Sequence, residues 1–253
     1  MNDEDLVRLV DANLVEYGRF MARATPGGVA EEQGGALLVS GATPTPAIVN
    51  SAFMAAIAVD PAAMLPAAAT FFRTRGHGYG IWTRGHADAA LDAVLPAAGF
   101  EIALEMPVMV LDTMPGERPA PPGAVVGAVV DEATAADFRD VALDGFAEEE
   151  GVRSAVESKF GDLAGLREPE IAAYVARVDD RPVAAAMTFT ALGVARVGWV
   201  GTLPAYRRRG LGAAVTRAAL LGGFDRGARW AALESSAMGA PVYRALGFRE
   251  VSR

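Results

Sequence analysis

Three consecutive arginines, Arg207, Arg208 and Arg209, run directly into Gly210-Leu211-Gly212. The residues before them, Val200 to Tyr206, leave a β-prone run through Pro204, and the residues after them read as a helix with small residues on one face. A strand thus turns into a helix through a basic, glycine-bearing loop. Gly210 and Gly212 carry no Cβ, so a ligand can come close to the main chain. Amides at a helix start lack intrahelical acceptors, and the helix dipole favours anions there. Guanidinium forks add donors matched to phosphate. The arrangement predicts a site for a pyrophosphate, with the three arginines adding positive charge. The plainer alternative is a basic surface loop. Neither a Walker A loop nor GxGxxG is present, because Ala213-Ala214-Val215 follow Gly212.

A second constellation follows at the C-terminus, Leu233-Glu234-Ser235-Ser236-Ala237-Met238-Gly239-Ala240-Pro241-Val242-Tyr243-Arg244-Ala245-Leu246-Gly247-Phe248. It reads as strand, short helix and strand. Together with the spacing Arg207-x-x-Gly210-x-Gly212, it resembles the acetyl-CoA signature and closing segment of the GNAT N-acetyltransferases. The resemblance implies an α/β fold with a mixed sheet and acetyl-CoA as co-substrate, with no metal. It implies acyl transfer to a primary amine of a small molecule or peptide, by direct attack in a ternary complex. By the same resemblance, Val200 and Thr202 offer the strand edge that the pantetheine arm pairs with, the amides from Arg208 to Ala213, with Arg209, Gly210, Leu211 and Gly212 between them, cradle the pyrophosphate behind Arg207, and Ser236 lies near the arm. Tyr243 stands at the usual general-acid position; the alternative is a tyrosine that only packs on the cofactor helix. The central strand carries no carboxylate, so Glu234 on the next strand is the candidate base, against a salt-bridged Glu234 and a water chain. Asp144 with Glu148, Glu149 and Glu150 falls where acceptor loops lie and would favour a cationic amine, unless it is a solvated loop. A non-catalytic acyl-CoA-binding regulator would keep the same loop, and an acyl group larger than acetyl would fit the same motifs.

The elements that must position these residues alternate in type. In the C-terminal half, 124–130 is a strand and Thr134 is a candidate N-cap for a helix to about residue 146. Runs at 171–178 and 183–190 form a hairpin around Asp179-Asp180-Arg181-Pro182. Strands at 195–202 and 230–234, helices at 210–224 and 240–246, and a last strand at 248–252 complete a mixed α/β sheet. Asp112 to Gly123, DTMPGERPAPPG, holds four prolines in twelve residues and reads as a linker between residues 1–111 and 124–253.

The first half carries a faint copy of the same ending: a strand at 79–84, a helix at 87–98, then Gly99-Phe100. Two tandem copies are the expectation. The first copy's loop would lie near 58–66, with Pro66 inside it and without a glycine pair or an arginine, so this half is expected to bind no acetyl-CoA. The family usually adds one more strand after the Leu-Gly-Phe segment. Here that place falls to a missing C-terminus, to Glu105–Leu111, or to a partner subunit in a homodimer.

Bulk properties remove other classes. Net charge is −8 over 253 residues, which disfavours nucleic acid and anionic membranes as partners. There is no cysteine, so thiolate nucleophiles and thiolate metal sites are excluded. Two histidines, His77 and His86, do not suggest a metal centre. The acidic N-terminus lacks a signal-peptide pattern and no long apolar run spans a bilayer, so a cytoplasmic location is expected.

Overall fold

The computed structural model describes residues 1–44, 50–116, 118–145, 157, 160 and 163–253. The fold is mixed α/β, built on two sheets. Helix α1 (Asp3–Arg23) leads into a first sheet of β1 (Val29–Gln33), β2 (Ala36–Ser40), β3 (Ser51–Met54) and β4 (Gly80–Trp82), with α2 (Pro61–Arg73) between the last two and α3 (Ala89–Val94) after them. The second sheet holds β5 (Val108–Leu111), β6 (Ala124–Ala128), β7 (Ile171–Val178), β8 (Arg181–Ala191), β9 (Val194–Thr202), β10 (Trp230–Glu234) and β11 (Arg249–Ser252). Its order is β11-β5-β10-β9-β8-β7-β6. Helices α4 (Glu132–Gly145), α5 (Leu211–Asp225) and α6 (Ala240–Ala245) accompany this sheet.

Local chemistry explains the turns. Asp179 and Asp180 take φ of +50° and +60°, and Leu192 and Gly193 take +54° and +73°. Two adjacent positive φ values make the type I′ geometry whose twist matches the strands it joins. Pro182 therefore lies in β8, opposite Arg177, rather than in the turn. Helix α4 begins earlier than expected. Asp131 caps it, accepting from the Thr134 N–H at 2.8 Å, while the Thr134 hydroxyl oxygen accepts from the Asp131 N–H at 3.1 Å. This reciprocal box leaves Thr134 inside the first turn instead of at the cap. Asp137, one turn on, pairs with Arg177 of β7.

The two sheets share a succession. Three strands paired antiparallel are followed by a helix and by a fourth strand that pairs parallel with the third: β1-β2-β3-α2-β4, downstream of α1, and β7-β8-β9-α5-β10, downstream of α4. Pro66, expected in a loop, lies inside α2.

Val108–Leu111 pairs antiparallel with both β10 and β11, so it belongs to the second sheet. Met109, Val110 and Leu111 are buried there because neighbours cover both edges and both faces. A closing strand is thus supplied by the end of the first half. Helix α1 also binds the halves together. Leu6 and Val10 pack with Val194 and Ala232 of the second sheet, while Val15 and Ala22 pack with Leu37, Val39 and Phe53 of the first.

Candidate functional site

The site begins with a fault in the sheet. β9 and β10 pair only from Val194/Trp230 to Arg196/Ala232. Beyond that point β10 stays paired to β5, whereas residues 197–202 of β9 have no ladder partner on that side among the described residues. On the other side, Ala186 faces two residues, Trp199 and Val200, because pairing jumps from Ala185/Gly201 to Met187/Gly198. This is a β-bulge, and bulges turn a strand and raise its twist. Trp199 takes φ +53°, a strained value for a bulky residue. Packing and hydrogen bonding hold it: its ring meets Phe160 edge-on at 5.0 Å, and its Nε1–H donates to the Tyr17 hydroxyl at 2.9 Å. Burial pushes the Tyr17 phenol up to about 12, with the Trp199 hydrogen bond acting in the opposite direction.

The basic loop closes on this fault. Pro204–Tyr206 makes one 3₁₀ turn, and α5 then starts at Leu211 behind Gly210 at φ +79°. That left-handed value is why glycine stands at 210. No side chain caps α5. The amides of Leu211, Gly212 and Ala213 are therefore left without helical acceptors. The Leu211 side chain is buried below them and anchors the turn. A Cβ on Gly212 would stand 3.4 Å from Thr202 Oγ1.

The three arginines divide. Arg207 turns back onto the chain, donating to the carbonyls of Thr202 at 3.3 Å and Gly145 at 3.1 Å, so it braces strand, loop and α4. Arg209 donates to the Ala205 carbonyl at 3.0 Å and lies over the Tyr206 ring. Arg208 is exposed at φ +62°. Val200 bridges the cores on either side of α5. The contrast with α2 is informative: there the Asp60 carboxylate accepts from the Ala62 N–H at 3.0 Å and occupies the helix start.

Tyr243 on α6 packs in one core cluster with Val197, Leu233, Val200 and Ala213, which line the parted strands and the start of α5. Its ring meets Phe248 edge-on at 5.9 Å, and burial pushes its phenol up to about 12. Ser236 is exposed, and its hydroxyl oxygen accepts from the Gly239 N–H at 3.1 Å, closing the turn before α6. Glu234 is tied to Arg196, which is 2% exposed and also donates to Asn13 Oδ1 at 3.0 Å and the Val10 carbonyl at 2.8 Å. Asn13 in turn donates to the carbonyls of Ala191 and Val194.

Sequence reasoning did not single out Arg196, Trp199, Asn13 or Tyr17. Two signals were available. A lone arginine in an apolar strand requires a buried partner, and the Gly198-Trp199 step inside a strand marks a bulge. Of the acidic group, Asp144 is exposed on α4, and Glu148, Glu149 and Glu150 lie outside the described residues. His77 Nδ1 lies 2.8 Å from Ser40 Oγ and 3.1 Å from Asn50 Oδ1 in the first half. His86 links Asp11 at 3.0 Å to Ser252 at 2.7 Å, joining a first-half turn to β11. Among the described residues no group of three metal-binding side chains gathers, and no helix is long and apolar enough to cross a membrane.

Comparison with known proteins agrees with this geometry. Residues 169–250 match the family model of the acetyltransferase (GNAT) domain. A GCN5-related N-acetyltransferase from Kribbella flavida is 22% identical and superposes with a TM-score of 0.75, covering 96% of this chain and 93% of its own. One from Sphaerobacter thermophilus is 17% identical with a TM-score of 0.60, covering 86% and 78%. A protein of unknown function from Staphylococcus epidermidis ATCC 12228 is 14% identical with a TM-score of 0.59, covering 88% and 90%. These likenesses extend the fold over both sheets. No curated protein matches the chain.

Proposed function

We propose that this protein is an acetyl-CoA-dependent N-acetyltransferase acting on a primary amine of a small molecule or peptide. One observation carries the reading. The uncapped start of α5, behind a left-handed Gly210, sits at the end of a strand whose described pairing with β10 stops at Arg196/Ala232. A diphosphate fits the first feature and an extended amide-bearing arm fits the second. Bound acetyl-CoA would supply the activated acyl carbon.

The chain's own residues then have separable tasks. The amides from Arg208 to Ala213 hold the diphosphate, and Arg207 fixes the shape of their loop. The main chain of Val200 and Thr202 aligns the arm. Tyr243 holds its proton at every working pH, because its phenol lies at about 12. An ordinary thiol titrates near ~8.5. Full transfer from Tyr243 to a thiolate is therefore uphill, and what the hydroxyl contributes is a hydrogen bond to charge growing on the departing sulfur. Glu234 is held in an ion pair with the buried Arg196, and its task is to hold the point where β9 and β10 part. The amine loses its proton to water. With no cysteine in the chain, attack on the thioester is direct.

The first half reads as a degenerate copy that carries no cofactor. Its support is the shared succession of elements and the Asp60 carboxylate, which fills the helix start where a phosphate would go. Its tasks are structural and acceptor-shaping: Tyr17 fixes Trp199, and β5 completes the second sheet.

Calorimetric and thermal-shift titration with acetyl-CoA tests the reading, followed by an amine panel scored for free CoA. Ligand at 100 times Kd should stabilise the fold by about 2.7 kcal/mol, a rise of roughly 5–11 °C. Gly212→Val should keep the fold and lose that rise. A wild-type protein that shows no shift removes the proposal.

A further inference from the structure

The proline-rich segment 112–123 does more than connect. Its described residues touch α5 and the loop before it at separate points. Pro121 Cγ lies 3.5 Å from where a Cβ on Gly210 would stand, and the Arg118 carbonyl accepts from Arg217 Nη1 of α5 at 3.0 Å. Met114 packs against the core cluster that contains Tyr243. Between this segment, the first turn of α5 and α6 opens a cleft of about 320 Å³, lined by Arg118, Ala213, Pro241, Val242, Ala245 and Leu246.

Arg118 is the charged group of that lining, against apolar walls from both helices. Its side chain is exposed and makes no ion pair or hydrogen bond with any described residue, in a chain of net charge −8 where carboxylates outnumber basic side chains. Arg217, whose hydrogen bond fixes the Arg118 backbone, has a buried Nε with no partner among the described residues. An exposed arginine in the lining of an apolar cleft, beside a helix start proposed to take a diphosphate, is matched to a second phosphate on the same ligand.

We propose that Arg118 binds the 3′-phosphate of coenzyme A, so that the segment joining the two halves is a wall of the nucleotide site and decides between CoA and its 3′-dephospho form. This rests on the acetyltransferase reading above. The diphosphate is assigned to the 208–213 amides, which leaves the 3′-phosphate as the ligand's remaining anion. The apolar wall of Pro241 and Val242 then faces the nucleoside.

The test is a comparison of CoA and 3′-dephospho-CoA binding by calorimetry, with wild type, Arg118→Ala and Arg118→Lys. One charge-assisted contact is expected to give wild type an about 10- to 100-fold preference for CoA. Arg118→Ala should bring that preference to within about threefold, with dephospho-CoA affinity unchanged, because the guanidinium touches only the missing phosphate. Arg118→Lys should restore part of it as a point charge. Arg118 is exposed, so the variants should melt with wild type. A preference that survives in Arg118→Ala, no preference in wild type, or an equal loss of both ligands overturns the assignment while leaving the acetyltransferase reading in place. A wild-type protein that binds neither ligand overturns both.

Discussion

Removing one oxygen atom separates catalysis from packing in this site. Tyr243 is 9% exposed, packs its ring on Phe248, and makes no hydrogen bond from its hydroxyl to any described residue. Tyr243→Phe therefore keeps the apolar contacts and breaks no internal hydrogen bond. Its stability should stay within ~1 kcal/mol of wild type, which is a melting shift of no more than roughly 4 °C. Affinity for CoA should be unchanged within about threefold, since the proposed diphosphate site lies at the start of α5 and not on Tyr243. Turnover should suffer. Losing one donor aimed at developing charge costs about 10²- to 10³-fold in kcat, or ~2.7–4 kcal/mol of barrier. The assay is initial-rate release of free CoA under saturating amine, beside calorimetry and a melting curve. The phenol lies at about 12, so wild-type kcat should show no loss through Tyr243 below about pH 10. The sign for stability is the same: the raised phenol favours its neutral form, and its contribution is present below about 10 and lost as pH rises through about 12. A Phe variant whose kcat stays within threefold of wild type refutes the donor role. One that melts far lower shows that the ring alone was never the measured quantity.

Three further outcomes are expected. Glu234→Ala leaves the Arg196 guanidinium buried without its carboxylate and should cost ~3–5 kcal/mol. Glu234→Gln keeps a hydrogen bond, should cost less, and should leave the pH profile of kcat in place; a lost limb with an unchanged melting point would make Glu234 the base after all. Gly223→Ala drives a Cβ to 2.6 Å from Ala195 Cβ under α5, so overpacking should cost ~1–3 kcal/mol, read from urea unfolding. Asp11, beside His86 and Arg84, has its carboxyl raised by burial, with both neighbours opposing. That contribution is present below the ordinary carboxylate value and lost as pH rises through the raised one, so the stability of wild type relative to Asp11→Asn should fall on going from about pH 4 to pH 7. A difference that rises over this range contradicts the sign.

Much of this protein was legible one turn at a time. The glycine loop before α5, the hairpin between β7 and β8 and the strand at 230–234 depend on φ preferences, dipoles and side-chain alternation within a few residues. Such signals survive in any tertiary setting. The cap of α4 was misplaced by three residues because Asp131 and Thr134 are both good caps, and only the completed turn shows which carboxylate or hydroxyl reaches which amide. The site's defining opening had no local signature of comparable strength. β9 parts from β10 because β10 is held on its far side by β5, a strand that arrives from the other half of the chain. The bulge at Trp199 persists because Tyr17, 182 residues earlier, accepts its N–H. Arg196 and Glu234 meet across two strands, under a helix that begins at Asp3. Sequence alone determined which segments could hold an anion and which could form strands. Tertiary structure decided which strand edges were left free, because edge pairing and the burial of charge are settled by whichever distant segment can satisfy them.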